Sequence, residues 1–182
     1  RVRSGMFDDG NGMFWEYDGQ YLWAVKRSAT YDLPGSVSIS VNDNRVDGDS
    51  NARFQDNLKI GDQIQVRGMV HDIIGIESQS VMYISPQFRS TINAVNINYS
   101  VIREQRTRQA LFNLDRLDGT GPSGYQIDLS KMQMVAIQYT WYGAGFIDWG
   151  MRTTDGRMIW AHRVKNNNRN DEGYMRSGNL PA

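Results

Sequence analysis

The chain has 182 residues, 40% hydrophobic and 11% aromatic, enough to bury a sizeable core in one large domain or two small ones. Twenty basic and twenty acidic side chains cancel to a formal net charge of zero, so no global field recruits nucleic acid or an anionic membrane. The absence of cysteine excludes disulfide frameworks, thiolate zinc sites and cysteine nucleophiles.

The opening "RVRSGMFDDGNG" lacks the apolar core of a signal peptide, and no later run approaches the roughly 20 apolar residues that span a bilayer. It also lacks an initiator Met, and the chain stops at "SGNLPA", so a piece of a longer polypeptide is expected. The first predicted element is a hairpin: "MFWEY" (13–17), Asp18-Gly19, then "QYLWAVKR" (20–27). Alternation puts Trp15 and Tyr17 on one face of its first strand and Phe14 and Glu16 on the other. Between 36 and 98, five short Val/Ile/Ser-rich runs separated by polar turns predict a small antiparallel β-barrel. Such a barrel closes its own edges and can be inserted in another domain. Residues 101–124 are polar at first, with room for a short helix within 105–117, and end in the loop "DGTGPSG". From 125 the pattern is strand-like again. Val135, Ile137, Tyr139 and Trp141 share a face, then Ile147, Trp149 and Met151 share one, and Thr154-Asp155-Gly156-Arg157 turns into "MIWAHRV". The polar tail from 165 is expected to run over the surface. These elements predict an all-β fold: a discontinuous antiparallel β-sandwich of the jelly-roll or lectin-like type (1–35 plus 99–182) with an inserted small β-barrel (36–98).

Few of these residues promise chemistry. In "YTWYGAGFIDWG" (139–150), the position three after Gly145 is Asp148 and the following run alternates as a strand. The motif therefore fails as a phosphate loop and reads as a tight turn. His71 and His162 stand alone, without the three or four converging ligands of a metal site, and are expected to be structural. Asp8, Asp9, Glu16, Asp115, Asp118, Asp128 and Asp148 are the acids available for glycoside hydrolysis, yet nothing singles out a catalytic pair. The oxygen-rich turns 8–12 and 43–51 lack the alternating ligands and terminal Glu of a calcium loop. No cofactor or metal is expected. Among the aromatics, Trp141 and Trp149 alternate into the core, whereas Tyr142, Phe146 and Trp160 are the candidate contacts for a protein partner or a glycan.

Two groups of residues resemble a known class. "V-x-G…F" (Val46, Gly48, Phe54), "L-x-I-G-D-x-I-x-V-x-G" (Leu58 to Gly68), the strand pair Ile76 to Ile84 and the closing "Q-F-R" resemble a small β-module of tailed-bacteriophage tail, fibre and neck proteins. The chain departs from that pattern at Ala52-Arg53, where Gly-Thr is usual, and at Ser90, where Gly is usual. The flanks "RSGMFDDGNGMFWEYDGQYLWAVKRS", "NLDRLDGTGPSGYQIDLSKMQM" and "YTWYGAGFIDWGMRTTDGRMIWAHRVKNNNRNDEGYMRSGNLPA" are similar to virion structural proteins of marine tailed phages of the tail, baseplate or neck type. The resemblance implies a non-enzymatic virion component that works by assembly with other virion proteins and with copies of itself. A receptor- or glycan-binding module on the virion surface is the alternative. A polysaccharide-cleaving enzyme would need a converging carboxylate pair, and a nucleic-acid binder a patch uniting Arg103, Arg106, Arg108 and Arg116. Neither nucleic acid nor membrane is an expected partner.

Overall fold

The computed structural model describes residues 1–140 and 143–175. The protein is all-β, as the patterning predicts. Its strands are β1 (Val2–Phe7), β2 (Gly12–Tyr17), β3 (Leu22–Asp32), β4 (Val37–Ile39), β5 (Arg45–Gly48), β6 (Gln63–Val66), β7 (Met69–Ile76), β8 (Val81–Ser85), β9 (Ala94–Ile97), β10 (Ser100–Arg108), β11 (Met134–Tyr139), β12 (Phe146–Arg152) and β13 (Met158–Lys165). The helical elements are α1 (Phe54–Asn57) and one 3-10 turn, Gln109–Leu111. Hydrogen bonding orders the strands β1-β2-β3-β10-β6-β7-β8-β5-β4-β9 in one antiparallel sheet and β11-β12-β13 in a second. The chain divides into two compact units, Arg1–Ser28 with Glu104–Ala182, and Ala29–Arg103.

The first unit is built on two hairpins whose turns are set by aspartates. The Asp8 carboxylate accepts the N–H groups of Gly10 and Asn11 at 2.8 and 2.7 Å, closing the turn from β1 to β2. Asp18 does the same for Tyr21 and Gln20 and also accepts the indole N–H of Trp23 at 2.7 Å; these bonds hold its pKa down to about 2. Gly19 follows at φ 104°, a backbone that an L side chain resists. The inner face of β2 and β3 supplies Met13, Trp15, Leu22 and Ala24, which pack on Ile147, Trp149, Met151, Ile159 and Ala161 of β12 and β13. The indole N–H of the fully buried Trp149 donates to the Phe14 carbonyl at 3.1 Å, joining the two sheets through their core.

The second unit gathers one face of β4 to β9, α1 and the start of β10 around its own core, with Val46, Phe54, Ile64, Ile73, Met82, Phe88 and Tyr99 at its centre. The Tyr99 hydroxyl donates to the Pro34 and Ala52 carbonyls, and burial pushes its phenol pKa up. Gly48 has a packing reason: a Cβ there would lie 2.6 Å from the Phe54 ring. Arg53, one of the departures from the module pattern, takes the left-handed backbone at φ 47°. The expected barrel is corrected. The strand order runs from β3 and β10 through to β9 at the other end, and among the described residues no pairing joins β9 back to close it.

Three further expectations change. The polar run 100–108 is a nine-residue strand, and the helical turn after it is limited to Gln109–Leu111. The run from 125 to 133 is irregular, and regular strand begins only at Met134. The tail is anchored: Tyr174 lies in the first unit's core, its N–H bonds the Gly143 carbonyl, and buried Asn166 donates to that carbonyl and to the Glu172 carbonyl.

Two stability outcomes follow from this core. Trp149→Phe removes one buried hydrogen bond and part of a packed ring, and is expected to cost about 2 kcal/mol by urea denaturation. His162 lies between Phe112 and Trp149, with ring centroids 5.6 and 5.9 Å away and neither ring nitrogen paired. Burial lowers its pKa, and Asp148 only partly opposes the shift. The unfolded chain therefore binds this proton more readily, so stability is full above the ordinary histidine pKa of about 6.5 and is lost as pH falls toward the folded-state value. Urea midpoints between pH 7.5 and 5 are expected to fall, and His162→Leu is expected to flatten that slope.

Candidate functional site

The outward face of β11–β13 carries most of the aromatic residues singled out as contacts. Because Ile147, Trp149 and Met151 point into the core, Phe146, Asp148, Gly150 and Arg152 point out. Register then arranges three ranks across the sheet: Met134–Arg152–Met158, Ala136–Gly150–Trp160, and Gln138–Asp148–Arg163. A bulge decides the last column. Trp149 pairs with His162 but Gly150 pairs with Trp160, so Ala161 is the extra residue. It lets Trp160 face out while His162 faces in. The Ala161 carbonyl accepts the N–H groups of Leu114 and Asp115, and Asn113 exchanges two hydrogen bonds with the Arg163 backbone, so segment 113–115 covers the outer edge of β13.

Within the central rank the Trp160 ring lies across Gly150. A Cβ at position 150 would come within 2.6 Å of ring atom Cε3 and 2.9 Å of Cζ3, so glycine is what allows the ring to lie down on the strand. Trp160 is half-buried, and Ala136 continues the low bed on β11. In the next rank, Arg163 grips Asp148 through two bonds of 2.6 Å, from Nε to Oδ1 and from Nη2 to Oδ2, and its guanidinium stands 4.3 Å over the Phe146 ring. Asp148 is 1% exposed. The hydrogen bond to Asp148 raises the pKa of Arg163. Of the predicted contacts, then, Trp160 and Phe146 share this face, Phe146 lying beneath a guanidinium; Tyr142 lies outside the described residues.

No family model, curated protein or solved structure matches the chain. The site is therefore read from its own chemistry.

The remaining sequence candidates have structural employment. Glu16 is fully buried under Arg3 at 2.7 Å, Arg1 at 3.1 Å and Arg106. Burial raises its pKa, but the hydrogen bonds from Arg106 and Arg3 outweigh that and hold it below the ordinary carboxylate value. Asp115 accepts the N–H groups of Leu117 and Ser123, while Asp118 and Asp128 close turns with Thr120 and Ser130. Asp43 and Asp49, in the second oxygen-rich turn, accept backbone N–H groups of Asn44 and Asn51. His71 bonds the Pro86 carbonyl through Nδ1 at 2.8 Å. Arg106 and Arg108 stack over Trp23 and Tyr21 at 4.9 and 4.2 Å in the first unit, whereas Arg103 pairs with Asp62 in the second. Among the described residues no group of three or more His, Asp and Glu is placed to hold a metal ion, and no helix is long and apolar enough to cross a membrane.

Sequence reasoning missed a cleft of about 250 Å³ in the first unit. Val2 and Ser4 of β1, Trp15 of β2, and Leu129, Lys131 and Val135 line it. β1 and β11 are end strands of their sheets, and Val2, Met132 and Met134 are 67%, 101% and 64% exposed. The signal was faint, because the rest of the lining beyond Trp15, Tyr17, Leu22 and Met151 comes from 1–6 and 129–135, which lack the alternation of the central strands.

The Asp148–Arg163 pair can be tested directly. Arg163→Ala leaves a buried carboxylate without its partner and is expected to cost about 3 kcal/mol, and Asp148→Ala made in the same protein recovers part of that loss in a denaturation cycle.

Proposed function

We propose that the chain is a non-enzymatic structural domain of a phage particle and works through protein–protein assembly. The single observation that carries this reading is the pair of sheet-edge strands, β1 and β11, beside an apolar cleft lined by Val2, Trp15, Leu129 and Val135, with Val2 exposed in its lining and Met132 exposed next to Lys131 and Gln133. Unpaired edge N–H and C=O groups beside exposed apolar side chains match a partner that adds a strand and seats a side chain. The resemblance of Leu58 to Gly68 and its neighbours to a phage tail and fibre module supports the same reading. So does the work done by the acids: Glu16 and Asp148 are neutralised by arginines, and Asp8, Asp18, Asp115, Asp118 and Asp128 organise turns. Symmetric self-association is the usual route for such domains.

Sedimentation measured from about 1 to 100 μM, the range of modest interface affinities, is expected to show mass rising with concentration. The double variant Val2→Lys/Met132→Glu is expected to remain monomeric with an unchanged melting temperature. A wild-type mass that stays monomeric throughout would overturn self-assembly through these edges.

A further inference from the structure

The Trp160 face has features that assembly through β1 and β11 does not use. Trp160 is absent from the core cluster of its unit; the Cε3–Cζ3 edge of its half-buried ring lies over Gly150 on the other face of the sheet. Holding it there requires Gly150, since any side chain at 150 would lift the ring off the strand. With Ala136 beside Gly150, the central rank is a low apolar plate one aromatic ring wide. A plate of that size matches one face of a six-membered ring.

The two flanking ranks supply fixed hydrogen-bond donors. Arg163 is held by its two bonds to Asp148 and by the Phe146 ring beneath it, and neither bond uses its Nη1 group. On the other side Arg152, exposed in the rank next to the plate, donates from Nη1 to the Gly156 carbonyl of the hairpin turn at 3.0 Å. Lys165, paired with Phe146, extends the same column as Arg163 and is exposed. Asp148 is the acid of these ranks, and Arg163 occupies both its oxygens. With Arg163 paired to Asp148, Arg152 and Lys165 are the cations in excess, which makes these ranks positive on a chain with no net charge. A guanidinium already positioned by a carboxylate and a ring loses little freedom when it binds.

We propose that this face binds a carboxylate-bearing pyranose, a uronic-acid unit of a polysaccharide, with its C–H face stacked on Trp160 and its carboxylate and hydroxyls taken by Arg152 and Arg163. The pyranose supplies what the face asks for: an apolar side for the plate, acceptor oxygens around its rim, and a negative charge. The plate lies on the outer face of β11–β13, whereas the cleft is lined from the inner face by Val135 and Met151, so either reading stands without the other.

The test uses a defined oligogalacturonate and a neutral gluco-oligosaccharide of equal length, titrated calorimetrically into the whole chain at a concentration where it is monomeric. Binding of the acidic oligomer is expected, weakening with added salt and exceeding the neutral one by about tenfold or more, which corresponds to about 1.4 kcal/mol. Trp160→Ala is expected to reduce affinity at least about tenfold. Gly150→Ala keeps the indole but crowds it, and crowds the Ile159 carbonyl 2.9 Å from the added Cβ as well. Its folding is therefore verified by melting before titration, and it is expected to weaken binding with Trp160 still present. If Gly150→Ala fails to fold, Trp160→Phe, which narrows the plate, takes its place with an intermediate loss expected. Absence of binding to the acidic oligomer, equal binding of the neutral one, or binding unchanged in Trp160→Ala would each overturn the proposal.

Discussion

The first unit depends on the burial of Trp149. Its indole fills the space between the sheets and donates to the Phe14 carbonyl, an acceptor on the opposite sheet. Once that ring is inside, strand geometry leaves no freedom for its neighbours: Ile147 and Met151 must also point in, and Asp148 and Gly150 must point out. The outward face is thus a consequence of the core. A carboxylate forced to the outside of β12 then needs a cation, and the cross-strand position provides Arg163.

Charge in this protein is spent locally. Twenty positive and twenty negative groups could have made opposing patches, yet the best-buried acids of the first unit, Glu16 and Asp148, are each closed off by arginines that also stack on aromatic rings. Burial favours the neutral acid, and the guanidinium hydrogen bonds reverse that preference for Glu16. Arginine suits this duty because its planar head can bond a carboxylate along its edge and lie over a ring with its face. The side chains around the cleft take no part in this economy, since apolar groups predominate there, and the same is true of the Trp160 plate.

Much of the fold was legible because its signals are local. Asp18-Gly19 and Thr154 to Arg157 announced two hairpins through turn chemistry, and both form. Alternation correctly sent Trp149 inward, and it separated Trp15, which joins the same core, from Phe14 and Glu16 on the other face. β10 was hidden because Arg103 to Arg108 has no apolar alternation; in the first unit its side chains are used for ion pairs and ring stacking. β1 was hidden because Arg3, Ser4 and Gly5 interrupt its apolar pattern. Of the site, Trp160 and Phe146 could be named as aromatics in strand-like runs, but not their setting. A strictly alternating β13 would put Trp160 and His162 on one face, and only the bulge at Ala161 parts them. Nor does the sequence say that Gly150 lies under Trp160, ten residues away.

By itself, then, the sequence determined what nearest neighbours along the chain can settle: the all-β class, the Asp- and Gly-driven turns, and the inward side of the central strands. The tertiary structure decided whatever depends on partners far apart in the chain. It left the second unit's sheet unclosed, drew Tyr174 into the core, and set a tryptophan down on a glycine of the adjacent strand. The physical reason is that pairing register and bulges place side chains opposite one another, and those are settled by how whole strands pack.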